Sequence, residues 1–446
     1  MNQLRLFLPC AAGVEDFLAR EVHHLTGLAG DDLMSSRGGV FVRGSWRDAM
    51  KLNLHSRLAQ RVLVELAHGD YRSENDLYAI AGGVAWEIWF TPRQTFKIET
   101  TAQHSPLTSL NFATLRIKDA IADRFRAKAG GVRPSIETQW PDCRVFAHLT
   151  TDTCTLYIDT SGEPLFKRGW RQDKGDAPLK ETLAAAMLAA SGWWDPETGA
   201  VSAAPLYDPC CGSGTIAIEA AQIALGLAAG GQRRFGFEKL LPFQAHVWAA
   251  LKDEAERSAA TAAASAATVP PAIFGSDVSH RMVDFAQRNA ERAGVAASID
   301  FRGGDALQRM PPAEGGVIML NPPYGERIEV GGVAARGARG GPARMQRDDG
   351  FDGEAPAPRA AGREQAQTED GGEFFAQLAS HWKKHYAGWT AWMLTPDLQC
   401  PKRMRLKESR RVPMWNGPIE CRMFRFDMIK GAVKPRKNAD GAAPQA

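Results

Sequence analysis

Two short motifs, a little over one hundred residues apart, carry the side chains best suited to chemistry. Residues 208–215 read Asp-Pro-Cys-Cys-Gly-Ser-Gly-Thr, a glycine turn between a predicted strand and a predicted helix. Residues 321–325 read Asn-Pro-Pro-Tyr-Gly and directly follow an apolar run that predicts another strand. Ligands of an open α/β sheet bind outside the carboxyl ends of its strands. We therefore expect both motifs at one edge of one sheet. The glycine turn could bind a small molecule there, and the Asn-Pro-Pro-Tyr segment, called the clamp below, could hold a second ligand.

The glycine turn is suited to binding a carboxylate. Gly212 and Gly214 permit a tight turn and let a ligand lie against bare backbone. Ser213 and Thr215 add amides and hydroxyls at the start of a helix, where the helix dipole favours an anion. A Gly-x-Gly turn alone is also typical of other nucleotide sites and of purely structural turns, so the rest of the sheet must decide.

Two acids follow the next two predicted strands. Asp277 ends one strand, where a carboxylate can accept hydrogen bonds from both hydroxyls of a ribose. Asp305 follows the next strand, where it can accept a hydrogen bond from an adenine amino group. Either acid alone is typical of a helix cap or a turn, but two acids after successive strands favour a ligand. A carboxylate, a ribose and an adenine together indicate S-adenosylmethionine as the cofactor.

The second motif is suited to activating an amine on a nucleobase. Such an amine is a poor nucleophile, because its lone pair is delocalised into the ring. The Asn321 side-chain oxygen and the Pro322 carbonyl can accept its two hydrogens and aim the lone pair at a methyl donor. Pro323 stiffens the loop, and Tyr324 can stack on an extruded base, which contributes about 1–3 kcal/mol. The plainer interpretation is a proline-rich turn with an exposed tyrosine.

The elements that must position these motifs alternate between strand and helix from residue 165 onward. This alternation predicts an α/β domain with a mostly parallel, doubly wound sheet. Asn416-Gly417, between two apolar runs, predicts an antiparallel hairpin at its end. The preceding part predicts α+β regions, with strand–helix–strand–helix order up to residue 55 and a closing hairpin within residues 145–159.

Composition sets the broad class. The 446 residues are 44% hydrophobic and 24% charged, which is typical of a soluble globular protein with two or three domains. The net charge of +3 permits a nucleic-acid partner without requiring one. The seven cysteines and ten histidines lack metal-ligand spacing, so we expect reduced thiols and no metal site. No apolar stretch is long enough to span a bilayer, and we expect a cytoplasmic protein without membrane contact.

Residues 115–128 form a predicted helix with one apolar face and many basic residues on the rest of its surface. A solvated helix with a core-facing stripe is one interpretation, and a platform for an RNA backbone is the other. Residues 329–372 are rich in Gly, Ala, Arg, Pro and Asp, which predicts a disordered, solvated insertion. An insertion that touches RNA is the alternative. We also expect disorder in residues 431–446.

The two motifs resemble those of the THUMP-domain class I RNA methyltransferases, most closely the bacterial 23S ribosomal RNA guanine-N2 methyltransferase branch. Residues 177–183 (Ala-Pro-Leu-Lys-Glu-Thr-Leu) and the segment Gly-Pro-Ile-Glu-Cys-Arg-Met-Phe-Arg-Phe at 417–426 extend the resemblance. It implies a ferredoxin-like region over residues 1–55, a THUMP RNA-binding domain over 45–160 and a Rossmann-like methyltransferase domain over 161–430.

The resemblance also implies functional residues beyond the two motifs. The connector at Lys167, Arg168 and Arg171 is expected to touch RNA, and Lys180 and Thr182 to lie beside the methionine end of the donor. The residues predicted to bind the cofactor are Asp208, Cys210, Gly212, Ser213, Gly214, Thr215, Asp277, Asp305, Lys180 and Thr182. The predicted catalytic residues are Asn321, Pro322, Pro323 and Tyr324. The residues predicted to bind RNA are Arg116, Lys118, Arg124, Lys128, Lys167, Arg168 and Arg171.

The activity implied is methylation of the N2 amine of a guanine in 23S ribosomal RNA, by a monomer acting on RNA or on an assembling large subunit. Three alternatives remain open at this point. The same chemistry could act on transfer RNA, or the clamp could serve the N6 amine of an adenine. The chain could also be an RNA-binding ribosome assembly factor without catalytic activity.

Overall fold

The computed structural model describes residues 3–175, 178–266, 272–322 and 371–429. Pro323, Tyr324, most of the predicted insertion and the predicted disordered tail therefore lie outside the described residues. Its strands are β1 (Leu4–Pro9), β2 (Leu33–Ser36), β3 (Gly39–Gly44), β4 (Leu63–Asp70), β5 (Thr95–Ala102), β6 (Ser135–Ile136), β7 (Cys143–Leu149), β8 (Thr153–Asp159), β9 (Leu206–Asp208), β10 (Ile273–Asp277), β11 (Ile299–Gly303), β12 (Gly316–Leu320), β13 (Trp389–Thr395), β14 (Arg410–Asn416) and β15 (Ile419–Asp427). Its helices are α1 (Glu15–Thr26), α2 (Trp46–His55), α3 (Glu74–Gly83), α4 (Leu110–Lys128), α5 (Glu181–Ser191), α6 (Thr215–Ala224), α7 (Ala245–Ala266), α8 (His280–Arg292), α9 (Gly371–His385) and α10 (Cys400–Met404).

The amino-terminal part is built on one eight-stranded sheet in the order β2-β3-β1-β4-β8-β7-β5-β6. The antiparallel pair β4–β8 joins its two halves, with Leu63 opposite Asp159 and Asp70 opposite Thr153. A bulge between Glu65 and Ala67 interrupts the register of this long pair. The regions predicted to be ferredoxin-like and THUMP therefore share one hydrogen-bonded sheet.

The carboxyl-terminal part is a seven-stranded sheet in the order β11-β10-β9-β12-β13-β15-β14. Strands β9 to β13 are parallel, whereas β15 pairs antiparallel with both β13 and β14. The turn between β14 and β15 contains Gly417 at a φ of 59°, as the Asn-Gly pair predicts. The predicted α/β class, a mostly parallel sheet with a C-terminal antiparallel hairpin, is confirmed.

Strand order in this sheet reverses between β9 and β12. The chain passes from β9 outward to β10 and β11, then returns to the other side of β9 as β12 and continues to β13. Adjacent strands whose connections leave in opposite directions open a crevice at their carboxyl ends, which is where ligands bind in such sheets.

The two parts of the molecule are joined through buried charge. Arg57, just after α2, and Arg168, in the connector, both bind the carboxylate of Glu219 on α6, at 2.9 and 3.0 Å. Each of these side chains is almost completely buried.

Within the described ranges, no helix has the length and apolar character needed to cross a membrane.

Candidate active site

The glycine turn joins β9 to α6 at the point where strand order reverses. The amide of Gly214 donates to the Cys211 carbonyl at 2.8 Å, and the Cys211 amide donates to the Ser276 carbonyl at 2.9 Å, which ties the turn to β10. Gly214 has a φ of +88°, and a Cβ there would lie 3.0 Å from the Cβ of Ala286. Gly212, at a φ of +52°, would instead direct a Cβ into open space. Gly214 is thus required by packing, whereas Gly212 faces the crevice.

Asp277 lies next to the glycine turn because β10, which it ends, is paired with β9, which leads into the turn. Gly275 of β10 lies beside Asp208 of β9, which places Asp277 two residues beyond the end of β9. One carboxylate oxygen of Asp277 accepts a hydrogen bond from the Gly212 amide at 3.0 Å. Its other oxygen accepts from the Ser279 amide at 2.9 Å. The prediction that Asp277 and the glycine turn lie together therefore agrees with the geometry, despite the long segment between them.

Asp305 lies beyond the next strand at the same edge. Its carboxylate caps a turn by accepting a hydrogen bond from the Leu307 amide at 2.9 Å. β10 and β11 are paired from Ile273 to Asp277, so the ends of both strands coincide. The carboxylates of Asp208, Asp277 and Asp305 thus occupy one edge of the sheet.

Burial shapes the electrostatics of this edge. Burial, with a smaller contribution from the negative charge of Asp277, raises the pKa of Asp208 to about 8, although the hydrogen bond from the Cys210 amide opposes the shift. Burial and the nearby acids also raise the thiol pKa of Cys210 and of Cys211 well above the ordinary value. Neither cysteine is therefore a thiolate nucleophile, and the site favours a cationic ligand.

Asn321 reaches the same edge from the other side of the strand-order reversal. β12 pairs with β9 through Ile318 beside Tyr207, so the residue after β12 lies just past the carboxyl end of β9. Asn321 is half-buried and Pro322 is buried. Two of the four predicted catalytic residues are therefore placed at the crevice.

The connector supplies a residue whose predicted role needs correction. The sequence predicts that Arg171 touches RNA, yet only 12% of its side chain is exposed. Its guanidinium donates to the hydroxyls of Ser213 and Thr215, each at 2.7 Å, and to Glu181 at 2.8 Å. Arg171 therefore bridges the glycine turn and the start of α5. No local pattern signals this contact, because its partners are distant along the chain.

The other connector residues divide between surface and interior. The prediction that Arg168 touches RNA is wrong, since its side chain is 1% exposed and bound to Glu219. Lys167 is exposed and pairs with Glu163 at 2.6 Å. Two residues predicted to bind the cofactor lie nearby. The Nζ atom of Lys180 is 5.1 Å from the centre of the Phe166 ring, and Thr182 is buried in the first turn of α5.

Most predicted RNA-binding residues on α4 already have partners within the protein. Arg116 donates to Asn75 and lies over the Tyr78 ring. Lys118 pairs with the neighbouring Asp119. Arg124 binds both carboxylate oxygens of Glu87, at 2.7 and 2.9 Å. Lys128, at the end of α4, is exposed.

Sequence reasoning missed an apolar residue at the crevice. Val278 directly follows Asp277 and is 54% exposed. An apolar side chain beside a carboxylate suits a planar ring attached to a sugar. The sequence shows that a valine follows the strand-ending acid, but its exposure is evident only in the structure. In the part of the chain that the structure describes, no cluster of three or more His, Cys, Asp or Glu side chains is arranged to hold a metal ion.

Three family models match successive parts of the chain. The RlmL ferredoxin-like domain matches residues 5–63, the THUMP domain matches 71–159, and the RMKL-like methyltransferase domain matches 168–334.

A curated relative and two solved structures are similar over nearly the whole chain. The ribosomal RNA large subunit methyltransferase K/L of Psychromonas ingrahamii is 32% identical over 99% of this chain and 52% of its own length. This chain thus spans about half the length of the curated relatives it matches. A putative methyltransferase, SMU.472, complexed with SAH, superposes with a TM-score of 0.76 at 23% identity, over 96% of this chain and 98% of its own.

The second structure is a predicted N6-adenine-specific DNA methylase from Listeria monocytogenes. It superposes with a TM-score of 0.75 at 26% identity, over 95% of this chain and 96% of its own. The three family matches and the observed sheets show that the chain contains an RlmL-type ferredoxin-like domain, a THUMP domain and an RMKL-like methyltransferase domain.

Proposed function

We propose that this chain uses S-adenosylmethionine to methylate the N2 amine of a guanine in 23S ribosomal RNA. The observation that carries the proposal is the position of Asn321, one residue past β12, beside the strand that leads into the glycine turn. The names of the curated relatives, ribosomal RNA large subunit methyltransferase K/L, support ribosomal RNA as the substrate. With that substrate, we place the enzyme in the cytoplasm.

The residues at the crevice fit the proposed methyl donor. Gly212 leaves open the space that any side chain would fill, so a ligand can lie against its backbone. The Asp277 carboxylate, fixed by the Gly212 and Ser279 amides, suits the ribose hydroxyls, and Asp305 with Val278 suits the adenine. S-adenosylmethionine would supply an electrophilic methyl on a sulfonium, whose positive charge suits the buried acid Asp208. The SAH in the structure of SMU.472 is consistent with this choice.

Asn321 and Pro322 would hold the amine that receives the methyl. The side-chain oxygen of Asn321 and the carbonyl of Pro322 accept the two amine hydrogens, which draws the nitrogen lone pair out of conjugation. A strong general base is unnecessary, because the methylated nitrogen loses its proton readily. We assign Pro323 to stiffening of this loop and Tyr324 to stacking on the base.

The amino-terminal part would hold the RNA. We propose that residues 1–55 act as a ferredoxin-like unit, 45–160 as the RNA-binding THUMP unit and 161–430 as the catalytic unit, consistent with the family matches. The exposed cations Lys128 and Lys167 are the members of the predicted set best placed to meet phosphates.

A second candidate function is methylation of the N6 amine of adenine. The clamp can bind that amine in the same way, and the Listeria monocytogenes protein is described as a predicted N6-adenine-specific DNA methylase. That description favours adenine as the target base but specifies DNA, whereas the THUMP match favours RNA.

The test is nucleoside analysis of modified RNA. Purified protein and isotope-labelled S-adenosylmethionine are incubated with ribosomal and transfer RNA from cells that lack the protein, and labelled nucleosides are identified by mass spectrometry. We expect labelled N2-methylguanine in large-subunit RNA, and at least a hundredfold slower labelling with Asn321→Ala. Gln377→Ala, an exposed amide on α9, is the matched control. Labelled N6-methyladenine or labelled transfer RNA would favour the alternatives, and no label in any RNA would overturn the proposal.

A further inference from the structure

The guanidinium of Arg171 bridges two hydroxyls at the glycine turn. One Nη donates to the Ser213 hydroxyl and the other to the Thr215 hydroxyl, both at 2.7 Å. Nε donates to the buried carboxylate of Glu181 at 2.8 Å. Thr215 is the first residue of α6, and Ser213 lies two residues before it. Both hydroxyls are therefore at the amino-terminal end of the helix, where the helix dipole is positive.

These contacts decide what the two hydroxyls can do. A guanidinium only donates hydrogen bonds, so Ser213 and Thr215 must accept from Arg171 and keep their own protons for another acceptor. Among the described residues, no hydrogen bond has either hydroxyl as its donor, although both residues are buried. A buried donor without an acceptor is costly, which indicates that a bound group supplies the acceptor.

Arg171 is held in this orientation by Glu181 and by the anchoring of the residues that follow it in the chain. Glu181 at the start of α5 binds its Nε and balances its charge. The next connector residues, Gln172 and Asp173, donate through their amides to the side chain of Asn289 on α8. The same Asn289 donates to the Ser213 carbonyl at 3.1 Å, so connector and turn are fixed to one helix.

We propose that Arg171 is a positioning residue that makes the Ser213 and Thr215 hydroxyls paired hydrogen-bond donors to the carboxylate of the methyl donor. The inference rests on the proposed function. Arg171 is paired with the carboxylate of Glu181, so its positive charge is largely balanced. Arg171 therefore affects ligand binding mainly by orienting the two hydroxyls.

The test compares two ligands that differ only in this carboxylate. S-adenosylhomocysteine carries it, and S-adenosyl-3-thiopropylamine is the same thioether without it; isothermal calorimetry gives both dissociation constants for the full chain. We expect Arg171→Gln to weaken S-adenosylhomocysteine about ten- to hundredfold and to leave the other ligand within about twofold. Arg288→Gln, at a half-exposed arginine of α8 that pairs with Asp173, should change neither constant.

A cycle of variants separates positioning from direct contact. In the Ser213→Ala/Thr215→Val background, adding Arg171→Gln should cause no further loss, because the groups it acts through are gone. A full additional loss would overturn the positioning role and show direct contact. Equal weakening of both ligands would overturn it in favour of a purely structural role. If Arg171→Gln does not fold, Thr215→Val alone must still lower the preference for the carboxylate ligand. Failure of the unmodified protein to bind S-adenosylhomocysteine would overturn the proposed function and this inference together.

Discussion

Arg168 and Glu219 form an ion pair, with 3.0 Å between Nε and Oε1, in which neither side chain is more than 1% exposed. The same carboxylate binds Arg57 at 2.9 Å. Glu219 lies one helical turn after Thr215, the first residue of α6. A single buried carboxylate thus connects the segment after α2, the connector and the helix that begins at the glycine turn.

Glu219→Gln should destabilise the folded chain strongly. Although burial alone raises the pKa of this carboxyl, Arg168 and Arg57 hold it below the ordinary value, so the group is charged at neutral pH. Removing one partner of a buried ion pair leaves charge unpaired and costs about 3–5 kcal/mol in the free energy of unfolding. Urea denaturation at pH 7 measures the loss. Glu254→Gln, whose pair with Arg47 is half-exposed, is the control and should cost less than about 1 kcal/mol. Equal losses for the two variants would contradict the importance of burial.

Affinity for S-adenosylmethionine relative to S-adenosylhomocysteine should rise with pH. Because its pKa is raised to about 8, Asp208 is mostly protonated at pH 7 when no ligand is bound. Only the deprotonated form attracts a sulfonium, so a cation releases the proton and binds better as pH rises from about 6 toward 8, then levels off. The two ligands differ only at the sulfur, so the ratio of dissociation constants reports the sulfonium together with its effect on the acidity of the nearby amino group.

Asp208→Asn is the control for that titration. It cannot ionise, so the rise of the ratio with pH that Asp208 causes should be absent. A ratio that still changes with pH in this variant would assign the dependence to another group.

Alanine substitutions at the two turn glycines should have different consequences. Gly214→Ala adds positive-φ strain and places a Cβ 3.0 Å from the Ala286 Cβ, so it should destabilise the fold by about 2 kcal/mol or more. Gly212→Ala adds strain alone, about 1 kcal/mol, but projects a methyl into the crevice and should abolish ligand binding. Gly192→Ala, at a φ of +77° with open space around it, is the reference for strain alone. Thermal denaturation measures the stability of each variant, and calorimetry measures its affinity for S-adenosylhomocysteine. Normal binding by Gly212→Ala would mean that the ligand does not lie against Gly212.

RNA binding should depend on Lys128 and not on Arg124. Lys128 is exposed, whereas hydrogen bonds from Arg124 lower the pKa of Glu87 to about 2, the sign of a tightly formed pair. Loss of one phosphate contact reduces the slope of log affinity against log salt by about 0.7–0.9. Lys128→Ala should show that reduction with large-subunit RNA in filter-binding titrations, and Arg124→Ala should not. The reverse result would mean that Arg124 exchanges Glu87 for RNA.

The sequence was sufficient to predict the sheet that carries the site. Alternating apolar runs and helical periodicity located β9 to β13, and Asp277 and Gly212 came together because β10 and β9 are neighbours. β2 was missed because Leu33–Ser36 is short and mostly exposed, without a strong alternating pattern. The end of α2 at His55 was not evident from its apolar pattern, because it is set by the extended backbone of Ser56.

Side-chain partners were harder to predict than elements. The basic residues of the connector suggested RNA contacts, but Arg168 meets Glu219 and Arg171 meets Ser213, each more than forty residues away. A charge pattern in one segment shows neither burial nor the acids or hydroxyls that tertiary structure brings to it. The glycine turn was easier, because the backbone conformation it requires is local.

The pairing of β4 with β8 has a mechanical consequence. Because seven residues of β4, between Leu63 and Asp70, each have a partner on β8, the two amino-terminal modules cannot swivel against each other without breaking a ladder of backbone hydrogen bonds. The pairs of Glu219 with Arg57 and Arg168 also tie this part of the chain to α6. An RNA bound as proposed would therefore present to the crevice the nucleotide that lies at the matching distance from the binding surface.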